Sequence, residues 1–146
     1  RHREAVDGFV RQGGRVLLTE WPAGRYAVAG TEVEVQRTIM GDYFFANPAP
    51  RLLATGRVKP QDLFLWYDAK AGYIQPLLRQ VFRAPGWSPL VTTGLTNFSG
   101  ADPTGYLAAA DLPLGKGRFI FSTVSLAGRV RENPAARQLL TEYLMR

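Results

Sequence analysis

Two carboxylates held roughly 5–10 Å apart can hydrolyse a glycosidic bond, and acidic residues are the side chains of this sequence best placed for chemistry. Glu20, Glu32, Glu34, Asp42, Asp62, Asp68, Asp102 and Asp111 are the candidates. Glu20 follows the apolar run of residues 15–19, at the kind of strand end where α/β folds place their ligands. Asp68 closes the apolar and aromatic stretch 62–68. Glu32 and Glu34 alternate with valines and read as the exposed face of a strand, while Asp102 and Asp111 read as turn residues. Glu20 and Asp68 are therefore nominated to reach a ligand, or the cleft of a neighbouring domain. A self-contained catalytic pair is not expected.

Other chemistries are narrowed by composition. The chain has no Cys, so disulfides, thiolate metal sites and a Cys nucleophile are ruled out for these residues. Its one His is His2, too little for a His-based triad or a multi-His metal site. No metal, cofactor or catalytic residue is expected. Gly115-Lys116-Gly117-Arg118 joins two strand-like runs, whereas a phosphate-binding glycine loop needs a strand before it and a helix after it. A hairpin turn is the better reading.

Aromatics form the other conspicuous set: Trp21, Tyr43, Phe44, Phe45, Trp66, Tyr67, Tyr73, Trp87, Phe98 and Tyr106. Three readings stay open for them: a core that pins a long loop, an interface with another domain or subunit, or stacking on sugar rings. Trp21, Trp66, Tyr67 and Trp87 join Glu20 and Asp68 as ligand or interface candidates.

The net charge of +6 comes from 18 Lys and Arg residues, all Arg except Lys59, Lys70 and Lys116, spread over the length of the sequence. Without a basic run, no nucleic-acid partner is expected. No stretch approaches the roughly 20 apolar residues of a membrane helix, so no membrane partner is expected either.

The elements that must position these side chains can be read in order. Val6, Phe9 and Val10 at helical spacing, followed by Gly13-Gly14, predict a helix over residues 2–12 with a glycine cap. The run 15–19 predicts a strand buried on both faces of a parallel sheet. A turn at 21–24 and a half-exposed strand at 31–37 follow, then an irregular excursion between 41 and 60. A short strand or docked loop spans 62–68, a helix is expected within 73–82, and a strand covers 90–93. Runs 106–112 and 118–125 predict an antiparallel hairpin. Asn133 as N-cap and Pro134 at the first helical position open a closing helix with an apolar stripe at Ala136, Leu139, Leu140, Tyr143 and Leu144.

Four segments carry a family likeness: residues 9–17, 62–66, 115–122 and 133–140. Together, Phe-Val-Arg-Gln-Gly-Gly-Arg-Val-Leu, Asp-Leu-Phe-Leu-Trp, Gly-Lys-Gly-Arg-Phe-Ile-Phe-Ser and Asn-Pro-Ala-Ala-Arg-Gln-Leu-Leu resemble the later part of class I glutamine-amidotransferase-like domains. The versions appended to bacterial glycoside hydrolases, including family 2 enzymes of the β-galactosidase and β-glucuronidase type, are the most similar. The amidotransferase Cys and His have no counterpart here, so that activity is not carried over. The resemblance implies an α/β fold, a three-layer flavodoxin-like sheet that is mostly parallel, with a C-terminal antiparallel hairpin and closing helix. It implies a single domain over 1–146 whose opening strands lie upstream of Arg1, non-catalytic, acting as scaffold, oligomerisation surface or active-site rim of a carbohydrate-processing enzyme. Its partners would be upstream domains of the same polypeptide, a second copy, or carbohydrate, and its setting periplasmic or extracellular.

Overall fold

The structure, a computed structural model, describes residues 2–37, 46–63, 66–68, 70–75, 77–93 and 105–146, and only the backbone of Tyr67 and Gln75. Helix α1 (His2–Arg11) leads into β1 (Arg15–Thr19), β2 (Gly24–Val28) and β3 (Thr31–Arg37). Then come β4 (Asn47–Pro48), the short α2 (Pro50–Leu53), β5 (Trp66–Asp68), β6 (Tyr73–Gln75), β7 (Gln80–Arg83) and β8 (Ser88–Thr92). Strands β9 (Leu107–Leu114) and β10 (Gly117–Ser122) precede the closing helix α3 (Pro134–Met145).

The three-layer, mostly parallel flavodoxin-like α/β sheet is overturned. Eight strands form one mixed sheet curled into a half-barrel, in the order β1-β10-β9-β7-β3-β2, with β8 pairing both β9 and β4. Strands β5 and β6 form a separate hairpin. Among the described residues the parallel ladder is confined to β1 and β10, in the register Arg15↔Arg118 to Thr19↔Ser122. Strand β10 then returns antiparallel along β9, so the ladder does not propagate. Strand β1 ends the sheet and is only half-buried, not covered on both faces as its apolar run suggests.

Two further expectations fail for local reasons. The helix expected within 73–82 is β6 and β7, because Val81 and Phe82, both fully buried, enter different cores on opposite faces of the sheet. Strand β2 begins at the end of the expected turn at 21–24 and occupies residues for which the sequence predicts no element. It pairs with β3 through a two-residue turn at Ala29 (φ 47°) and Gly30 (φ 81°), whose left-handed backbone matches the twist of a tight hairpin. Asp42, Tyr43, Phe44, Phe45, Phe98 and Asp102 lie outside the described residues.

One core lies under α3 and α2 and includes Trp66, Ile120, Leu139 and Tyr143. The other lies under α1 and the β2–β3 hairpin, where the Phe121 ring meets Phe82, Trp21 and Trp87 edge-on, with centroids 4.7, 5.4 and 6.4 Å away. Helix α1 ends as its sequence predicts: Gly14 N–H bonds to Phe9 O and Gly13 N–H to Val10 O, the paired closure of a glycine-capped helix. That end is pressed onto the β9–β10 turn. Lys116 N–H donates to Arg11 O and Arg118 N–H to Gly14 O, and a Cβ on Gly117 would lie 2.0 Å from Gly14 O and 2.3 Å from Val10 O.

Strand β9 is the spine of the sheet, and its run Ala108-Ala109-Ala110 is wholly buried. Asp111 next to it is no turn residue. It is fully buried, accepting from Arg118 at 2.8 Å on β10 and from Arg51 at 2.9 Å on α2. Glu142 on α3, 3% exposed at its side chain, pairs with Arg57 at 3.1 Å. The buried Tyr143 hydroxyl lies 3.3 Å from that of Ser122, and burial pushes the phenol well above its ordinary range.

Four outcomes are expected. Gly117→Ala forces a Cβ into backbone and should lose about 3 kcal/mol in urea unfolding. Gly14→Ala meets only the ring of Phe9, which is 57% exposed and free to turn, and should lose about 1 kcal/mol or less. Asp111→Asn leaves two guanidiniums without their counter-charge and should lose about 3 kcal/mol, at the low end for a buried pair because Arg51 is 47% exposed and screened by water. Because the folded Tyr143 pKa lies above the unfolded value of about 10, its contribution is complete below pH ~10 and declines above it. Unfolding free energies from urea titrations between pH 10 and 11.5 should therefore fall more steeply for the unaltered chain than for Tyr143→Phe, by up to about 1.4 kcal/mol per pH unit.

Candidate functional site

Strands β1 and β10 end together, and a cleft of about 340 Å³ opens beyond their carboxyl ends. Glu20, Asp68, Arg79, Gln80, Thr123 and Ser125 line it, with Ala127 and Arg129. Among the described residues, two carboxylates, two guanidiniums, an amide and two hydroxyls thus share one small, polar, formally neutral site.

Each carboxylate is held by backbone. Glu20 continues the parallel ladder, its N–H donating to Ser122 O at 3.4 Å, and then turns into the left-handed region at φ 56°. This turn aims its side chain back along β10, where Oε1 accepts from Ala127 N–H at 3.1 Å. Asp68 ends β5 and its Oδ1 accepts from the N–H groups of Lys70 and Ala71, both at 3.0 Å, closing the turn into β6. A carboxylate has about four lone-pair positions, so both retain acceptor capacity toward the cleft. Thr123 is pinned by the Ala108 carbonyl, to which its N–H donates at 2.8 Å, and Ser125 N–H donates to Leu77 O at 2.9 Å.

This arrangement can bind. Guanidinium and amide N–H groups facing carboxylate oxygens and hydroxyls suit a small polyhydroxylated ligand, which needs donors and acceptors side by side. It holds no imidazole, thiol or amine that could serve as nucleophile or neutral base. Among the described residues, no group of three or more His, Cys, Asp or Glu could hold a metal ion, and no helix is long and apolar enough to cross a membrane.

Of the six residues nominated from sequence, Glu20 and Asp68 are brought together and the tryptophans are not. Trp66 is fully buried, its indole N–H donating to Asp62 O at 2.9 Å. Trp87 is buried and donates to Thr31 Oγ1 at 2.8 Å. Trp21 is half-buried against Tyr26 and Phe121. The Tyr67 side chain lies outside the described residues. Sequence reading missed Arg79, Gln80, Thr123 and Ser125. The first two fell within an expected helix, and the signal for the others was the hydroxyl-rich run Ser122-Thr123-Val124-Ser125 at the end of a buried strand.

No protein family profile matches the chain, and no curated protein matches it. Among solved structures, the cold-adapted beta-galactosidase from Rahnella sp. R3 aligns with 96% of this chain at 16% sequence identity and a TM-score of 0.49. The alignment covers 20% of that enzyme, so the chain spans about a fifth of the length of the neighbour it matches.

Proposed function

We propose that this chain is a non-catalytic accessory domain of a carbohydrate-processing enzyme, a glycoside hydrolase of the β-galactosidase type, and that its polar cleft contacts saccharide at the rim of a neighbouring site. The observation that carries this reading is the meeting of Glu20 and Asp68 with Arg79, Gln80, Thr123 and Ser125 in one cleft. Alternating donors and acceptors match the hydroxyls of a sugar, and with no Cys and no His but His2 a thiol- or imidazole-based nucleophile and base cannot be assembled from these residues. A sugar module built on Trp66 and Trp87 loses its basis, because both indoles are buried and hydrogen-bonded inside the fold.

A second reading shares the cleft: Glu20 or Asp68 supplies an acidic group to a partner domain's hydrolytic site. The same juxtaposition favours it, and kinetics separates the two. Loss of a rim contact raises KM, whereas loss of a reacting carboxylate lowers kcat by orders of magnitude.

Titrating galacto- and gluco-oligosaccharides into the chain should give a saturable change in fluorescence, reported by Trp21 next to Glu20, with dissociation constants of about 1 mM, near 4 kcal/mol. Glu20→Gln combined with Asp68→Asn should weaken this binding at least about tenfold, a loss of about 1.4 kcal/mol. No saturable change with any of these sugars, or hydrolysis of a nitrophenyl glycoside by the chain alone, would overturn the proposal.

A further inference from the structure

A second cleft, of about 440 Å³, lies between α2 and the C-terminal end of α3, away from Glu20 and Asp68. Its charged lining is Arg51, Arg57, Arg146 and Glu142. The guanidiniums are anchored from behind by the two buried carboxylates of the fold: Arg51 by Asp111 at 2.9 Å and Arg57 by Glu142 at 3.1 Å. Both arginines remain about half exposed, so their outer N–H groups face the cleft mouth. Arg146 crosses behind them, its Nη2 donating to the Arg51 carbonyl at 2.6 Å.

This cluster is not balanced. Including Arg118, which shares Asp111 at 2.8 Å, four guanidiniums face two carboxylates, an excess of two positive charges. Burial first, and then the neighbouring Arg51, push the Arg146 pKa down, while Asp111 and Glu142 oppose the shift. Arg146 also carries a buried Nε–H with no acceptor. Planar guanidinium forks pair with tetrahedral oxyanions in two-point fashion, and anchored forks lose little freedom on doing so.

We propose that Arg51, Arg57 and Arg146 form a binding site for a phosphoryl group. A phosphoryl dianion matches the excess of two charges among the described residues, and its three oxygens give each guanidinium an acceptor. The site is independent of the saccharide cleft and stands whether or not that cleft binds sugar.

The test titrates inorganic phosphate into the full chain at constant ionic strength, balanced with sodium chloride. It follows the Arg146 Nε–Hε resonance and the thermal midpoint. Phosphate should move the resonance saturably and raise Tm, whereas chloride alone should do neither. Arg146→Gln should weaken phosphate binding at least about tenfold, and Arg146→Lys, which keeps the charge but not the fork, by less. Tighter binding of glucose 6-phosphate than of phosphate would identify a phosphorylated sugar as the ligand, and equal binding the free ion; either upholds the site. Equal effects of chloride and phosphate, or unchanged phosphate affinity in Arg146→Gln and Arg146→Lys, would overturn it.

Discussion

Gly117 lies against the end of α1 so closely that only a residue without a side chain fits, and the placement of both clefts descends from that contact. With Gly117 against Gly14, β10 must start where β1 starts, and the parallel register from Arg15↔Arg118 onward is set. That register delivers Glu20 beside Ser122 and the segment after it, where the cleft it shares with Asp68 opens. The next residue along, Arg118, carries the same constraint to the other side of the sheet through its bond to Asp111. A backbone contact without functional groups thus determines where the functional groups lie.

The parts legible in sequence are those whose causes are local. Gly13-Gly14 ends α1, the turn at Gly115-Lys116 joins β9 and β10, and Asn133 caps α3 through its Oδ1, which accepts from Ala135 and Ala136. Each requires only a few consecutive residues. The segments that suggested an amidotransferase-like domain include these same devices. A glycine cap before a strand, a glycine hairpin and an Asn-Pro helix start recur in many architectures, so they fix local geometry without choosing between a flavodoxin-like sheet and a half-barrel. What decides that choice is pairing between distant segments. Strand β3 meets β7 across some fifty residues, and nothing in Val35 or Phe82 announces the other.

The same division runs through the sites. Glu20 was identifiable because a strand end is a local feature with a general consequence for ligand binding. Asp111 was misread because an acidic residue before Leu-Pro-Leu-Gly looks like turn chemistry, while its role depends on Arg51, sixty residues away. The tryptophans show the converse. Composition cannot tell an indole that stacks on a ligand from one that fills a core, and here Asp62 O and Thr31 Oγ1 satisfy the N–H groups of Trp66 and Trp87 inside the protein.

Charge that looked evenly scattered along the sequence is not scattered in space. Folding directs the buried carboxylates of Asp111 and Glu142 to one end of the molecule, where they hold arginines from three separate segments. At the other end, Glu20 and Asp68 spend part of their hydrogen-bonding capacity on backbone turns and face Arg79 and Arg129 across a cleft of balanced charge. A stripe of basic residues would attract a polyanion along its length. A compact trio of arginines, two of them anchored by buried acids, is matched instead to a single oxyanion. The positive charge of this chain thus has a local use that its distribution along the sequence conceals.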